Sequence, residues 1–106
     1  MALDRAKLAR AASAGRVLWR EHARRRAEER RFSPEQVLAA LTSGEVIEEY
    51  ATAYPFPAAL LLAVAGDRPL HVVAAMAESS EEAYIITVYE PTADKFEADW
   101  KTRRRA

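Results

Sequence analysis

The sequence of 106 residues contains no cysteine. This absence excludes disulfide bonds, thiolate metal sites and cysteine nucleophiles, and it is typical of proteins from a reducing cytosol. Long apolar segments are also absent, because the longest run, residues 58–65, has eight residues, whereas a membrane-spanning helix needs about 20. Early charges at Asp4 and Arg5 interrupt any signal-peptide core. We therefore expect a cytoplasmic protein that does not associate with a membrane.

Glycine and histidine are scarce, with three and two residues respectively. Three dispersed glycines do not make a Gly-rich phosphate loop. The two histidines, His22 and His71, lack the spacing of a zinc motif, and no cysteine supplements them. The serines show no nucleophile-elbow motif. The sequence therefore predicts no metal site and no small-molecule cofactor.

The formal net charge is zero, but the charges are unevenly distributed. Residues 1–35 contain ten Lys and Arg against five Asp and Glu, residues 36–90 one Arg against eight acids, and residues 91–106 five basic residues against three acids. If the two basic ends meet in the fold, they form a positive face that suits RNA or an acidic partner protein. Alternatively, these charges only solvate helix surfaces through ion pairs one turn apart.

The N-terminal third is rich in Ala, Arg, Glu and Leu, which favour helix. We predict a helix from about Leu3 to Ala14 and a second from about Arg16 to Arg30. A third helix has the clearest local signal, because Ser33 is a natural N-cap, with Pro34 in the first helical position and Gln36 placed to complete a capping box. This helix is predicted to end at Gly44.

After Gly44 the hydrophobic period falls to about two, which indicates strands. Four strands are predicted: Val46–Tyr50, Ala58–Val64, Leu70–Met76 and Ala83–Tyr89. Their short connections predict an antiparallel meander. A short last helix follows, capped by Thr92 or Asp94 and running to about Trp100. The order ααββββα predicts an α+β fold of two layers, with the helices on one face of a four-stranded sheet.

Three segments match motifs of a known family in the family's own order. They are His22–Ser33, Leu41–Ile47, and the strand pair Leu70–Val73 with Ile86–Pro91. On these segments, and over about residues 20–102, the sequence resembles domain-of-unknown-function family 4258. Arg31 stands where the family usually has Gly, so we expect less need for a left-handed turn there and a helix that runs one residue further.

The layout of that family is similar to small toxins of the RelE and BrnT type, many of which cleave RNA without a metal. The resemblance implies a RelE-like architecture and, as partners, RNA or an antitoxin-like protein. The extent of the match divides the chain into an N-terminal helical extension (1–18) and one α+β domain (19–102), and the basic tail that remains (103–106) is predicted to fray.

The strongest candidate for a site on the second helix is a stripe of His22, Arg26 and Arg30. Residues spaced by four drift only about 40° per step around a helix, so these three side chains share a face. Guanidinium groups hold a phosphate in a fork, and a histidine exchanges protons near neutral pH. The alternative is that His22 packs beside Trp19 and the arginines solvate the helix.

A second group of candidates lies on the predicted strands. By alternation His71 faces the same side as Val73, and it is either a proton carrier paired with His22 or a core histidine satisfied by a hydrogen bond. Tyr89 and Glu90 lie at the end of the last strand. Tyr89 can stack on a base or donate a proton, and Glu90 can act as a base or pair structurally with an arginine.

Two functions are compatible with these residues. The first is a metal-independent ribonuclease in which His22 and His71 carry protons, Tyr89 and Glu90 assist, and Arg26 and Arg30 bind phosphate. The second is a non-catalytic module that binds a nucleic-acid backbone or a partner protein, or that self-associates. An open concave surface shared by these side chains favours the first function, and scattered or buried side chains favour the second.

Overall fold

The computed structural model describes residues 3–77 and 79–105. Within them the chain forms three helices and five strands, in an order that confirms the predicted α+β class. The elements are α1 (Arg5–Ser13), β1 (Val17–Trp19), α2 (Glu21–Glu29), α3 (Pro34–Ser43), β2 (Glu45–Tyr50), β3 (Ala58–Ala65), β4 (Arg68–Met76) and β5 (Ala83–Tyr89). Three predicted features lie partly outside the described residues: the first two residues of the extension, Glu78 of the turn before β5, and Ala106 of the tail.

The four predicted strands form the antiparallel meander β2–β3–β4–β5, and a fifth strand, β1, joins it in parallel beside β5. The prediction of a helix over residues 16–30 is therefore wrong at its start. Helix formers are present there, but a strand satisfies the free edge of β5: the Arg20 N–H donates to the Ile85 carbonyl at 3.0 Å, and the Ala83 N–H donates to the Arg16 carbonyl at 3.0 Å. Tertiary pairing overrides local propensity in this segment.

The two faces of β4 are buried by different parts of the chain. Leu70, Val72, Ala74 and Met76 belong to one core cluster with the buried residues of all three helices. The alternate residues His71 and Val73 point to the opposite face, as the sequence predicts. His71 is nevertheless fully buried, because the segment after β5 covers this face of the sheet.

The third helix confirms its predicted N-terminus in detail. The Ser33 hydroxyl accepts the Gln36 N–H at 3.1 Å, and the Gln36 side chain accepts the Ser33 N–H at 2.9 Å. Gly44 is the C-cap and has an extended conformation, with φ −69°. Glycine is needed there for space, because a Cβ would collide with the Ala40 carbonyl.

The end of α2 corrects the expectation for Arg31. This residue adopts φ +60°, and the helix ends at Glu29. The Phe32 N–H donates to the Ala27 carbonyl at 2.8 Å and the Arg31 N–H to the Glu28 carbonyl at 3.1 Å, which is the hydrogen-bond pattern of a Schellman motif. The left-handed turn is thus retained with an arginine in it, because the two bonds and the burial of Phe32 outweigh the local strain.

The predicted N-terminal extension is part of the helical layer. Leu8 and Ala11 of α1 are fully buried, and α1 packs against α3. The Arg5 guanidinium donates to the carbonyl of Leu41 and, at 2.9 Å, to that of Gly44. This side chain therefore caps the C-terminus of α3, which has no basic residue of its own in its last turn.

The prediction of a helix ending at Trp100 is wrong. Residues 90–105 form turns, and Phe96 pairs with Arg103 in an isolated bridge. The Asp99 carboxylate accepts the N–H groups of Lys101 and Thr102 at 2.9 and 3.0 Å. These bonds lower the pKa of Asp99 to about 2 and compete with helical hydrogen bonding.

Arg103 and Arg104 of the tail that was predicted to fray are held in place by ion pairs. Arg103 pairs with Glu48 at 2.7 Å and Arg104 with Glu97 at 3.1 Å. The segment formed by residues 91–105, hereafter the C-terminal segment, therefore crosses from β5 back to β2. Over the described residues, no helix has the length and apolar character needed to cross a membrane.

Candidate functional site

A groove of about 370 Å³ lies between α2, the end of β5 and the C-terminal segment. Its lining comes from α2 (Arg26, Arg30), from β5 and the residues just after it (Thr87, Tyr89, Glu90, Pro91, Thr92), and from the C-terminal segment (Lys95, Phe96, Arg103). Four of the ten lining residues are basic and one is acidic. We call it the cationic groove.

The basic side chains of the groove differ in how strongly they are engaged. Both carboxylate oxygens of Glu48 accept hydrogen bonds from Arg103. Arg26 makes a weaker ion pair, because it is 3.9 Å from the Glu29 carboxylate on an exposed helix face. Among residues 3–77 and 79–105, neither Arg30 nor Lys95 forms an ion pair. Arg26, Arg30 and Lys95 are exposed, so their charges are available to an anion in the groove.

His71 lies behind the groove wall and both of its ring nitrogens are occupied. Nε2 is 2.7 Å from the Trp100 carbonyl oxygen, which can only accept, so Nε2 carries a proton. Burial lowers the pKa of His71, so the ring is neutral and Nδ1 is an acceptor. The Tyr89 O–H therefore donates to Nδ1, at 3.1 Å. This arrangement matches the alternative of a core histidine satisfied by hydrogen bonds.

Tyr89 connects the buried histidine to the groove. Its ring makes an edge contact with His71, and the Phe96 ring packs against the same imidazole from another side. Burial raises the pKa of Tyr89. The hydroxyl is therefore protonated at neutral pH, and its proton is directed inward to His71.

A polar cluster of Glu48, Tyr50 and Arg103 anchors the C-terminal segment to β2. The Tyr50 hydroxyl donates to Glu48 at 2.6 Å, and the bond from Arg103 is the main cause that lowers the pKa of Glu48. Burial, reinforced by Glu48, raises the pKa of Tyr50 to about 12. The Arg103 guanidinium also lies 5.0 Å above the Phe96 ring. One arginine thus closes one side of the cationic groove and holds the cover over His71.

The structure brings together some of the predicted site residues and separates others. Arg26, Arg30, Tyr89 and Glu90 all line the cationic groove. His22 is exposed on the first turn of α2 and is not among the lining residues, since two helical steps of four place it about 12 Å along the axis from Arg30. The predicted pair of His22 with His71 is not formed, because one is at the surface and the other is sealed in the sheet.

Arg68 is an organising residue that the sequence predictions missed. Its guanidinium donates to the carbonyls of Arg30 and Arg31 at 2.8 and 2.9 Å, at the C-terminus of α2. It also pairs with Glu90 at 3.3 Å and lies 4.1 Å above the Phe32 ring. Of the two roles predicted for Glu90, a base or a structural partner of an arginine, the contact with Arg68 matches the second. The one signal in the sequence that pointed to Arg68 is that it is the single basic residue among residues 36–90, which contain eight acids.

A comparison with protein families matches residues 19–90 to a domain of unknown function (DUF4258). The match covers more than half of the chain, and the chain belongs to this family. It includes α2 and both Arg68 and Glu90, whereas Lys95, Phe96 and Arg103 of the groove lie beyond it. Comparisons with curated proteins and with solved structures gave no match.

The groove can hold an anion but has limited means of moving protons. Among the described residues, no group of three or more His, Asp and Glu is placed to bind a metal ion. Apart from the arginines, the titratable side chains that line the groove are Lys95, Glu90, which is already paired with Arg68, and Tyr89, whose proton points to His71. The arrangement is therefore better suited to binding a phosphate than to cleaving its ester.

Proposed function

We propose that this chain is an RNA-binding module that holds the phosphodiester backbone in the cationic groove. The observation that carries this proposal is that Arg26 and Arg30 from α2 and Lys95 from the C-terminal segment line one open groove. Guanidinium groups bind phosphate oxygens through two parallel hydrogen bonds, and neutralised phosphates release counterions, which supplies much of the affinity for nucleic acid.

Binding is favoured over cleavage by the positions of the histidines. His22 lies outside the groove lining, and His71 has no exposed surface. An acidic protein is the other ligand class that suits a positive groove, and an antitoxin-like partner or self-association stays a prediction. RNA is preferred because the partly exposed aromatic ring of Tyr89 lies among the cations, as in surfaces that bind single strands.

Two double variants on the same helix test the proposal. Arg26→Gln/Arg30→Gln removes two groove cations, whereas Arg24→Gln/Arg25→Gln removes two exposed cations of α2 that do not line the groove. Each pair also loses one exposed ion pair within the helix. Binding to a short fluorescent single-stranded RNA is measured by anisotropy. We expect the groove variant to raise Kd about tenfold or more and the control to raise it much less. Equal losses would show general charge attraction and would overturn the assignment to the groove.

Metal-independent RNA cleavage is the second candidate, favoured by the presence of Tyr89 and Glu90 in the same groove. In this reaction the Glu90 carboxylate removes the proton of a 2′-hydroxyl, whose oxygen attacks the adjacent phosphorus. The Tyr89 hydroxyl turns its O–H from His71 toward the groove and protonates the departing 5′-oxygen, and a 2′,3′-cyclic phosphate remains. Arg26 and Arg30 stabilise the added negative charge.

The test for cleavage is incubation of the pure protein with labelled RNA in the presence of a chelator, followed by detection of cyclic-phosphate ends. Glu90→Gln is expected to abolish the product, because the amide cannot take the proton. A wild-type protein that is folded, binds RNA and forms no product would eliminate the enzyme and leave the binding module.

A further inference from the structure

A second concave site lies next to the cationic groove on the face of the sheet opposite the helices. It has a volume of about 340 Å³, and its lining includes Arg20, Tyr50, Tyr54, Phe56, Tyr84 and Ile86. We call it the aromatic pocket. Its size falls in the range of small-molecule sites, which are mostly apolar with a few polar groups.

Three features of the pocket make it suitable for a flat aromatic ligand. The rings of Phe56 and Tyr84 are stacked on each other, with centroids 5.4 Å apart and planes 19° from parallel, which fixes the orientation of both rings at the pocket. Tyr54 is 87% exposed, which is unusual for a large aromatic side chain in a folded domain. Arg20 adds a guanidinium, which stacks on aromatic rings and donates hydrogen bonds to acceptors on their edges.

The pocket and the groove are lined by the two members of one cross-strand pair. Val73 lines the aromatic pocket, and its cross-strand partner Thr87 lines the cationic groove. Side chains of such partners lie about 5 Å apart on the same face of a sheet. Along β5 the lining changes from pocket to groove between Ile86 and Thr87. The pocket and the groove therefore adjoin along β5 on one face of the sheet.

From this continuity we propose that the aromatic pocket receives a nucleobase of the same RNA strand whose phosphates occupy the cationic groove. The inference rests on the proposed RNA binding and adds the recognition of the base. A charged groove that follows the backbone, beside aromatic rings on which bases stack, is the combination by which proteins bind single strands with little sequence preference. An acidic ligand without bases would use the groove and leave the pocket empty.

The experiment compares two strands and two variants of the full-length chain. The strands are a short labelled oligoadenylate and a ribose-phosphate strand of equal length without bases. Tyr54→Ala removes the exposed ring, which has little to contribute to folding, and Tyr54→Phe retains it. Val64→Ala, at an exposed position of β3 outside the pocket, is the control, and thermal melting verifies that each variant is folded.

We expect wild-type protein to bind oligoadenylate about tenfold more tightly than the strand without bases. Tyr54→Ala should remove about this factor for oligoadenylate and leave the other strand unchanged, whereas Tyr54→Phe and Val64→Ala should behave as wild type. A strand containing 2-aminopurine should lose fluorescence on binding, because the base stacks.

The possible failures are distinguishable. If the wild-type protein binds the two strands with equal affinity, the base pocket is overturned and the phosphate groove stays intact. The same conclusion follows if Tyr54→Ala binds oligoadenylate normally, or if it binds both strands more weakly by the same factor. Absence of wild-type binding to either strand overturns the pocket and the proposed function together.

Discussion

The Trp100 carbonyl oxygen accepts the Nε2 proton of the His71 imidazole at 2.7 Å, across 29 residues of sequence. Trp100 has φ +60°, a conformation that costs a non-glycine residue about 1–2 kcal/mol. The Asp99 turn and the Arg103–Glu48 pair on either side hold the backbone in this state. The strained residue thus satisfies a buried donor that the sheet itself leaves without a partner.

His71 should make the stability of the fold depend on pH below neutrality. Burial lowers its pKa from the ordinary 6.5, Arg103 lowers it further, and the Trp100 hydrogen bond and the charge of Glu48 raise it without reversing the direction. Below 6.5 the unfolded chain takes up a proton at this residue and the folded chain does not, so stability falls as pH falls from 6.5 toward the folded pKa. One group contributes at most about 1.4 kcal/mol per pH unit.

Urea unfolding at about pH 7.5 and about pH 5.5 measures this effect. His71→Gln retains one donor and one acceptor but does not titrate, so its free energy of unfolding should change less between these pH values than that of wild type. His22→Gln is the matched control and should retain the full wild-type difference. If His71→Gln keeps the wild-type pH dependence, the assignment to His71 is wrong.

Arg31→Gly should stabilise the protein. Arg31 has φ +60°, which glycine adopts without the steric penalty of a Cβ, and its backbone bonds to Glu28 and Arg68 do not require the side chain. We expect a gain of about 1 kcal/mol in the free energy of unfolding. Arg30→Gly is the control, because Arg30 has φ −90° and glycine there should be neutral or destabilising. Equal effects at the two positions would contradict the explanation by strain.

Arg68→Lys should destabilise the protein although the charge is retained. A single ammonium group cannot reach the carbonyls of Arg30 and Arg31 and the Glu90 carboxylate with the same planar geometry. We expect a loss of about 2 kcal/mol in the free energy of unfolding. Glu90→Gln should cost less than about 1 kcal/mol, because it removes only a partly exposed ion pair and leaves both carbonyl contacts. A larger loss for Glu90→Gln than for Arg68→Lys would show that the ion pair, not the helix cap, is the main contribution.

Features predicted well from the sequence depend on neighbours close in the chain. The capping box uses Ser33 and Gln36, three residues apart, and the period of two over residues 83–89 identifies β5 without knowledge of its partners. Arg68, by contrast, contacts carbonyls 37 and 38 residues away, and no local pattern encodes those distances. β1 is a strand only because β5 has a free edge beside it.

In the candidate site, too, the features that depend on local sequence could be predicted and those that depend on distant contacts could not. The spacing of Arg26 and Arg30 placed both on one helix face, and the end of β5 supplied Tyr89 and Glu90, so these four could be predicted to lie near one another. His71 was placed on the correct face of β4, but its burial depends on Phe96 and Trp100 in a segment that was predicted to be helical. The cover over this residue could be found only from the fold.

The dependence of RNA binding on salt should report the number of groove cations that meet phosphates. For single strands, each phosphate contact contributes a slope of about −0.7 to the logarithm of the association constant against the logarithm of salt concentration. Lys95→Gln should therefore make the slope less steep by about 0.7. Lys7→Gln, on α1 outside the groove, removes the same charge and should lower affinity slightly with the wild-type slope. An unchanged slope for Lys95→Gln would mean that RNA contacts only the α2 wall, and the groove would then be a one-sided surface and not a clamp.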